Sequence, residues 1–219
     1  MTGLLVNSLN EEFNAYRKLV IILLQKSCVR GGDSMFRSNT FRGKIYEGNQ
    51  ILELLKGLQE GLDVSIYADP AFNTSQMHKI RKGLEMGLNV SVYAKKEFDA
   101  PQMEQIMLGL EDNLDVAIYA NKYYSWKKMS LYRHALEDGL DISEILRPTL
   151  SNSQLEELLE GLRRRVDISA YNDSRYTSEQ MREIRLGLED RIDVRKYASL
   201  DCDAYTMRSI RENLIKCVG

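Results

Sequence analysis

Proline is scarce in this chain. Three prolines in 219 residues are too few for a loop-rich all-β protein and suit a helical one. Cysteine is equally sparse. Cys28, Cys202 and Cys217 are odd in number and unrelated in spacing, which argues against a disulfide framework or a zinc site and fits a reducing compartment. The longest apolar run, Leu19–Leu24, is six residues, far short of a membrane span. Asn7, Asn10, Glu11 and Glu12 stand where the apolar centre of a secretory signal would lie, so no signal and a cytoplasmic location are expected. An excess of one charge is also missing. The formal net charge is −2, so the whole chain lacks the electrostatic footprint of a nucleic-acid binder. Apolar residues at 43% and charged residues at 28% exclude global disorder.

Catalytic signatures are absent as well. The sequence has no HExxH, GxSxG, Walker-type GKS/T or strand-linked GxGxxG. Its two histidines, His78 and His134, fall in different repeats, four columns apart, and read as exposed polar residues. No catalytic residue, metal or cofactor is expected, and the chain does not read as an enzyme.

What is present is a repeat. Gln50, Gln76, Gln102, Lys128, Gln154, Gln180 and Thr206 are spaced by 26 residues with no insertion. The unit reads approximately QMxxIRxGLExGLDVSxYAxxxFxx. Glycine recurs at Gly57, Gly83, Gly109, Gly161 and Gly187, with Ala135 and Asn213 as departures, and the next position is leucine in all seven units. Such self-similarity marks a repeat architecture.

The columns translate into helix chemistry. Asn73, Asp99, Ser125, Ser151, Thr177 and Asp203 precede the glutamine column by three and are good N-caps, while Glu47 is a weaker one. Glutamine three residues on completes a capping box. Tyr46, Phe72, Phe98, Tyr124, Leu150 and Tyr176 pair with Ile51, Met77, Met103, Met129, Leu155 and Met181 as hydrophobic staples. Met77, Ile80, Leu84 and Leu88 follow at helical spacing, and Gly61, Gly87 and Gly139 fit the left-handed position that stops a helix. The first helix is therefore about 12 residues, or three turns. Asp63, Asn89, Asp115, Asp141, Asp167 and Asp193 then cap a second helix of one to two turns, with a β-strand as the competing reading of runs such as Val64-Ser65-Ile66-Tyr67. A mid-helix glycine costs about 1 kcal/mol relative to alanine. The expected reason for it is close approach of the neighbouring repeat. Leu110 is expected on the buried face and Glu104 on the outer one.

The fold class is therefore all-α: an α-solenoid of six 26-residue two-helix repeats plus a final helix, over residues 46–219. Stacked pairs of this kind bury a core that no single pair can. Residues 1–45 form a separate region. Leu9–Lys26 is an amphipathic helix that would cap the solenoid, and the mildly basic stretch after Cys28 fits a loop, a small hairpin or a mobile segment.

Two places break the pattern. In the first, Tyr123 and Trp126 fill columns that elsewhere hold small or polar residues, with Lys122, Lys127 and Lys128 around them. Exposed aromatics among lysines resemble a binding hot spot; the alternative is that Trp126 folds over a neighbouring helix start. In the second, Arg163, Arg164 and Arg165 replace an acidic helix end. They match the negative end of the helix dipole or contact an anion or an acidic partner. A further column, Leu55, Arg81, Met107, Arg133, Leu159, Arg185 and Arg211, nearly alternates arginine with apolar residues. Glutamates four residues after three of these arginines explain only part of that.

The segments Gln102-Met103-Glu104-Gln105-Ile106, Gly109-Leu110-Glu111 and Asp115-Val116, and more fully Gln180–Ala198 with its Arg185, resemble a tandem repeat of uncharacterised gut-bacterial and mobile-element proteins. The resemblance spans Tyr46–Leu214, and repeat four departs most, with Ala135, Ile145 and Leu146. It implies a bacterial, phage or plasmid context and nothing catalytic. The expected function is a protein-binding scaffold, an inhibitor or adaptor from a mobile element. A nucleic-acid-binding solenoid is the alternative. Residues 49–219 hold 23 Lys and Arg against 28 Asp and Glu, which disfavours it, while residues 1–48 hold seven against four and leave room for a basic arm.

Overall fold

The structure, a computed structural model, describes residues 40–41 and 44–218. The expected capping helix Leu9–Lys26 lies outside those residues. The first described segment is a small antiparallel hairpin, β1 (Thr40–Phe41) with β2 (Lys44–Ile45), in which Thr40 faces Ile45. Helices, 3-10 turns and their connections make up the rest.

The chain divides into two compact units, Met1–Ala100 and Pro101–Gly219. In the first unit, α1 (Gly48–Gln59) packs on α2 (Thr74–Glu85). The second holds α3 (Ala100–Glu111, whose first residue ends the first unit), α4 (Trp126–Glu137), α5 (Asn152–Arg164), α6 (Ser178–Glu189) and α7 (Ala204–Val218). There α4 packs on α5, α5 on α6 and α6 on α7. Among the described residues, and the hairpin apart, both units are built of helices.

The helix starts follow the sequence. Asn73, Ser125, Ser151 and Thr177 each accept from the backbone N–H three residues on, at 2.9–3.2 Å. Gln50, Gln76, Gln154 and Gln180 answer by accepting from the N-cap N–H at 2.7–2.8 Å. The staple residues Phe72, Phe98, Tyr124 and Leu150 are buried, as are Met77, Met103, Met129 and Leu155. The helix ends go further than expected. Gly61, Gly87 and Gly139 have φ of 71–74°, and Asn113, Arg165 and Arg191 occupy the same column at 57–58°. Each C′ residue donates to a carbonyl three back, and the next residue reaches the mid-helix carbonyl, as Leu62 does to Gly57 at 2.9 Å and Val166 to Gly161 at 3.1 Å. This pair of bonds is a Schellman motif. For arginine, the left-handed backbone costs about 1 kcal/mol or more.

The second helix of each repeat is shorter than expected. It is a single 3-10 turn of three residues: Val64–Ile66, Val90–Val92, Val116–Ile118, Ser143–Ile145, Ile168–Ala170 and Val194–Lys196. These runs do not pair as a sheet among the described residues. The turn stops because its next residue, a tyrosine in five of six, leaves helical backbone; Tyr67 has φ −124°. The ring then swings back over its own helix.

That ring explains the mid-helix glycine, and the explanation corrects the expectation. A Cβ at Gly57, Gly83, Gly109, Gly161 or Gly187 would sit 1.8–2.0 Å from the hydroxyl of Tyr67, Tyr93, Tyr119, Tyr171 or Tyr197. The glycine is needed by the tyrosine of its own repeat, not by a neighbouring one. Each hydroxyl donates to the carbonyl four residues before the glycine, at 2.9–3.3 Å. A buried tyrosine needs such a partner, and burial pushes the Tyr197 hydroxyl up to about 12. Repeat four has Ile145 where the tyrosine would be and Ala135 where the glycine would be. There Tyr132, on the helix, donates instead to the carbonyl of Ile145 at 2.8 Å. The hydrogen bond survives with donor and acceptor exchanged between helix and turn.

The leucine column is also corrected. Leu110 and its equivalents are half-buried, because they lie beside the glycine on the flank of the helix, and Glu104 is half-buried too. The fully buried positions are Met77, Ile80, Ile106, Leu158 and Ile184 with the tyrosines.

Polar links join successive repeats. Gln50, past its own cap, donates to the carbonyls of Pro70 and Phe72, ahead of α2. Gln102, Gln154 and Gln180 do the same to residues 20 and 22 ahead. The arginine column points backwards by 28 residues. Arg81 donates to Glu53 at 2.8 Å, Arg133 to Gln105 at 3.2 Å, Arg185 to Glu157 at 2.9 Å and Arg211 to Glu183 at 3.1 Å. In sequence, Leu159 follows Leu131 at the same interval and Met107 follows Lys79. Within the repeats the column is arginine where Glu or Gln stands 28 residues earlier and apolar where Lys79 or Leu131 does, which accounts for the alternation from Arg81 onward.

Two predictions follow from these contacts. Gly109→Ala should destabilise by about 1–3 kcal/mol despite the better helix propensity of alanine, because the added methyl strikes the Tyr119 hydroxyl. Adding Tyr119→Ile should recover part of the loss, as in repeat four; strictly additive denaturation midpoints would contradict the pairing. The second concerns acid. Burial alone would raise the Glu53 carboxyl, but hydrogen bonds from Lys56, Arg81 and His78 outweigh it and hold it at about 2, against an ordinary 4.5. Its stabilisation is therefore complete above about pH 4.5 and lost as pH falls through about 2. Glu53→Gln should remove up to about 3 kcal/mol of that acid dependence, read as a flatter profile of stability against pH between 5 and 2.

Candidate partner-binding surface

The break at residues 122–128 is built on a tightly held loop. Asn121 accepts from the Tyr123 N–H through its side chain at 3.0 Å and from the Tyr124 N–H through its carbonyl at 2.9 Å. Tyr124 is buried, its ring 5.3 Å from that of Tyr132. Ser125 caps α4. With Tyr124 and Ser125 committed inward, the residues on either side face water: Tyr123 is 75% exposed and Trp126 43%. The Lys122 ammonium lies 5.3 Å from the Tyr123 ring centre, and that of Lys127 lies 5.7 Å from Trp126. Both distances are within cation–π range.

Lys128 does not belong to this surface. It is 5% exposed, and its ammonium donates to the carbonyls of Pro148, at 2.9 Å, and Leu150. It takes the place that glutamine holds in the other repeats. Burial pushes its ammonium down from the ordinary lysine value. The cause is physical: its column faces the loop of the next repeat, and a long cation there finds several carbonyls.

The arginine triplet is likewise divided. Arg163 donates to Asp138 at 3.0 Å, joining α5 to the end of α4, and Arg164 donates to Glu160 at 2.8 Å within its own helix. Arg165 sits at the left-handed C′ position. The helices α4 and α5 run side by side in the same direction, since Lys128 meets the start of α5 and Asp138 meets its end. Tyr123 and Trp126 therefore lie at the opposite end of this layer from Arg163–Arg165, about 18 Å away by helix length. The structure does not bring the two candidates together.

Sequence reasoning missed Arg191, which shares the C′ column and its φ of 58° with Arg165. Reading that column for any residue, rather than for glycine alone, would have found it. Tyr205, 81% exposed at the start of α7, was also missed. His78 contacts Glu53 at 3.2 Å and so belongs to a structural ion cluster. Among the described residues there is no cluster of His, Cys, Asp or Glu suited to a metal, and no helix long and apolar enough to cross a membrane. Comparison with family models, curated proteins and solved structures yields no match.

Lys128→Gln should restore the clamp of the other repeats and keep thermal stability within about 1 kcal/mol. Lys128→Ala should cost about 1–3 kcal/mol, because two or more buried carbonyls lose their donor. A thermal melt of both variants checks this; an equal loss in the two would show that the ammonium itself is required.

Proposed function

We propose that the chain is a protein-binding scaffold: a solenoid of six 26-residue repeats plus a final helix, without catalytic chemistry or cofactor. Its working surface contains Tyr123 and Trp126 with Lys122 and Lys127. The observation that carries this reading is the exposure of two large aromatics on a loop pinned by Asn121, Tyr124 and Ser125. Rigid aromatics on a pre-organised loop give up little entropy on binding and offer much apolar area. The flanking lysines favour an acidic partner surface. In keeping with the repeat's resemblance, the context we propose is bacterial, cytoplasmic and mobile-element-borne, with a host protein as the target of an inhibitor or adaptor. The excess of acidic residues over 49–219 weighs against nucleic acid as the primary ligand.

The test is a Tyr123→Ala/Trp126→Ala variant whose fold is confirmed by circular dichroism. Affinity for a partner captured from host lysate, with and without nuclease, should fall by about 2 kcal/mol or more. Unchanged affinity in the folded variant would remove the aromatics from the interface. A steep loss of wild-type binding with salt or nuclease would favour nucleic acid.

A further inference from the structure

The second surface lies at the other end of the helices. A shallow depression at the ends of α5 and α6 is lined by Arg164, Arg165, Val166, Leu188, Glu189 and Arg191. We propose that it is a recognition pocket for the carboxylate of an acidic protein segment, with Arg165 and Arg191 as the contact residues and Arg164 at its rim. The proposal rests on the protein-binding reading above and assigns it a second contact point.

Three observations converge there. First, Arg165 and Arg191 occupy left-handed backbone, at φ 57° and 58°, in a column where three repeats have glycine. Glycine is the residue that adopts this conformation without a steric cost, so arginine at both positions is a local disadvantage to folding. Strain of this kind collects at ligand sites. Second, both arginines are exposed and, like Arg182, have no hydrogen-bond or ion-pair partner among the described residues, so their guanidiniums are free to take a ligand, whereas Arg81, Arg133, Arg163, Arg185, Arg208 and Arg211 are paired. Third, the half-buried Val166 and Leu188 line the depression beside them and offer apolar contact to the aliphatic part of an acidic side chain. Glu189 does not neutralise the pair, because it is engaged by Arg185.

The helix dipole is not a sufficient explanation. It favours a cation in the last helical turn, where α1 and α2 carry Lys56 and Lys82, but it does not require one in the strained position beyond it. The chemistry suits a carboxylate, which a guanidinium fork grips with two parallel hydrogen bonds. A polyphosphate track fits less well. Glu189 in the lining and Asp167, Asp190 and Asp193 close by in sequence would repel an extended polyanion, while one carboxylate between two arginines avoids them.

The experiment uses the full chain, with arginine Nε–Hε resonances followed by NMR while an acetylated, amidated Gly-Gly-Glu-Gly-Gly peptide, which carries one carboxylate, is added. The Arg165 and Arg191 signals should shift saturably, and those of Arg81 and Arg185 should not. Arg165→Gly/Arg191→Gly should bind the peptide at least tenfold more weakly and melt at a higher temperature than wild type. No saturable shift at millimolar peptide, undiminished binding by the double variant, or a lowered melting temperature would each overturn the assignment. Tighter binding of a 20-nucleotide single strand at the same arginines would replace the carboxylate with phosphate. The Tyr123→Ala/Trp126→Ala variant should retain peptide binding, so failure of the aromatic surface and failure of this pocket register separately.

Discussion

One hydrogen bond organises each repeat: a tyrosine hydroxyl laid across a bare stretch of helix backbone. Tyr119 reaches the Gln105 carbonyl only because Gly109 presents no side chain. To make that reach, the tyrosine must leave helical backbone, so the 3-10 turn before it ends after three residues. The end of the turn sets the direction of the following loop, and the loop sets where the next N-cap falls. The constancy of the 26-residue spacing follows from this chain of dependence. Any residue inserted between glycine and tyrosine would carry the hydroxyl away from its acceptor. Repeat four, with Tyr132, Ala135 and Ile145, shows that the bond between helix and turn is the requirement, and that the side from which it is donated is not.

Once each repeat is closed, polar side chains fix its neighbour. Glutamine, or Lys128, grips the loop ahead, and arginine grips an acid or amide on the helix behind. Apolar stacking alone tolerates sliding, because leucine and methionine surfaces accept many registers. Buried charge does not: Arg81 and Glu53 are both almost inaccessible to water, and a slip would leave either one unpaired at a cost of several kcal/mol. The pairs act chiefly by penalising wrong registers.

The architecture was legible in the sequence because its signals are local. The caps at Asn73, Ser151 and Thr177 act within three residues, and so do the stops at Gly61 and Gly87. The causes that were missed act at a distance. Gly109 meets a residue ten positions away, so periodicity could reveal the glycine but not what fills its space. The arginine column depends on a partner 28 residues back, which only an alignment of each repeat against the preceding one displays. The uniform leucine column suggested deep burial, yet Leu110 lies on a flank; recurrence in every unit measures repetition of an environment and not its depth. Of the candidate surface, Tyr123 and Trp126 were legible as aromatics among small residues. Lys128 was misleading because its charge disguised a glutamine's task, and Arg191 was invisible beside a triplet that drew attention to itself.

The backward reach of arginine also imposes a rule of adjacency on the units. A unit carrying arginine fits only after one carrying an acid or amide, and in sequence Leu159 follows Leu131. Losing the single unit that precedes Arg185 would set its guanidinium, itself buried, against the side chain of Leu131. Losing two would set it against Gln105, which already serves Arg133 in that way. Copy-number change at this point in the array is therefore tolerated in steps of two units and resisted in steps of one, so the order of the repeats carries information that their individual sequences do not.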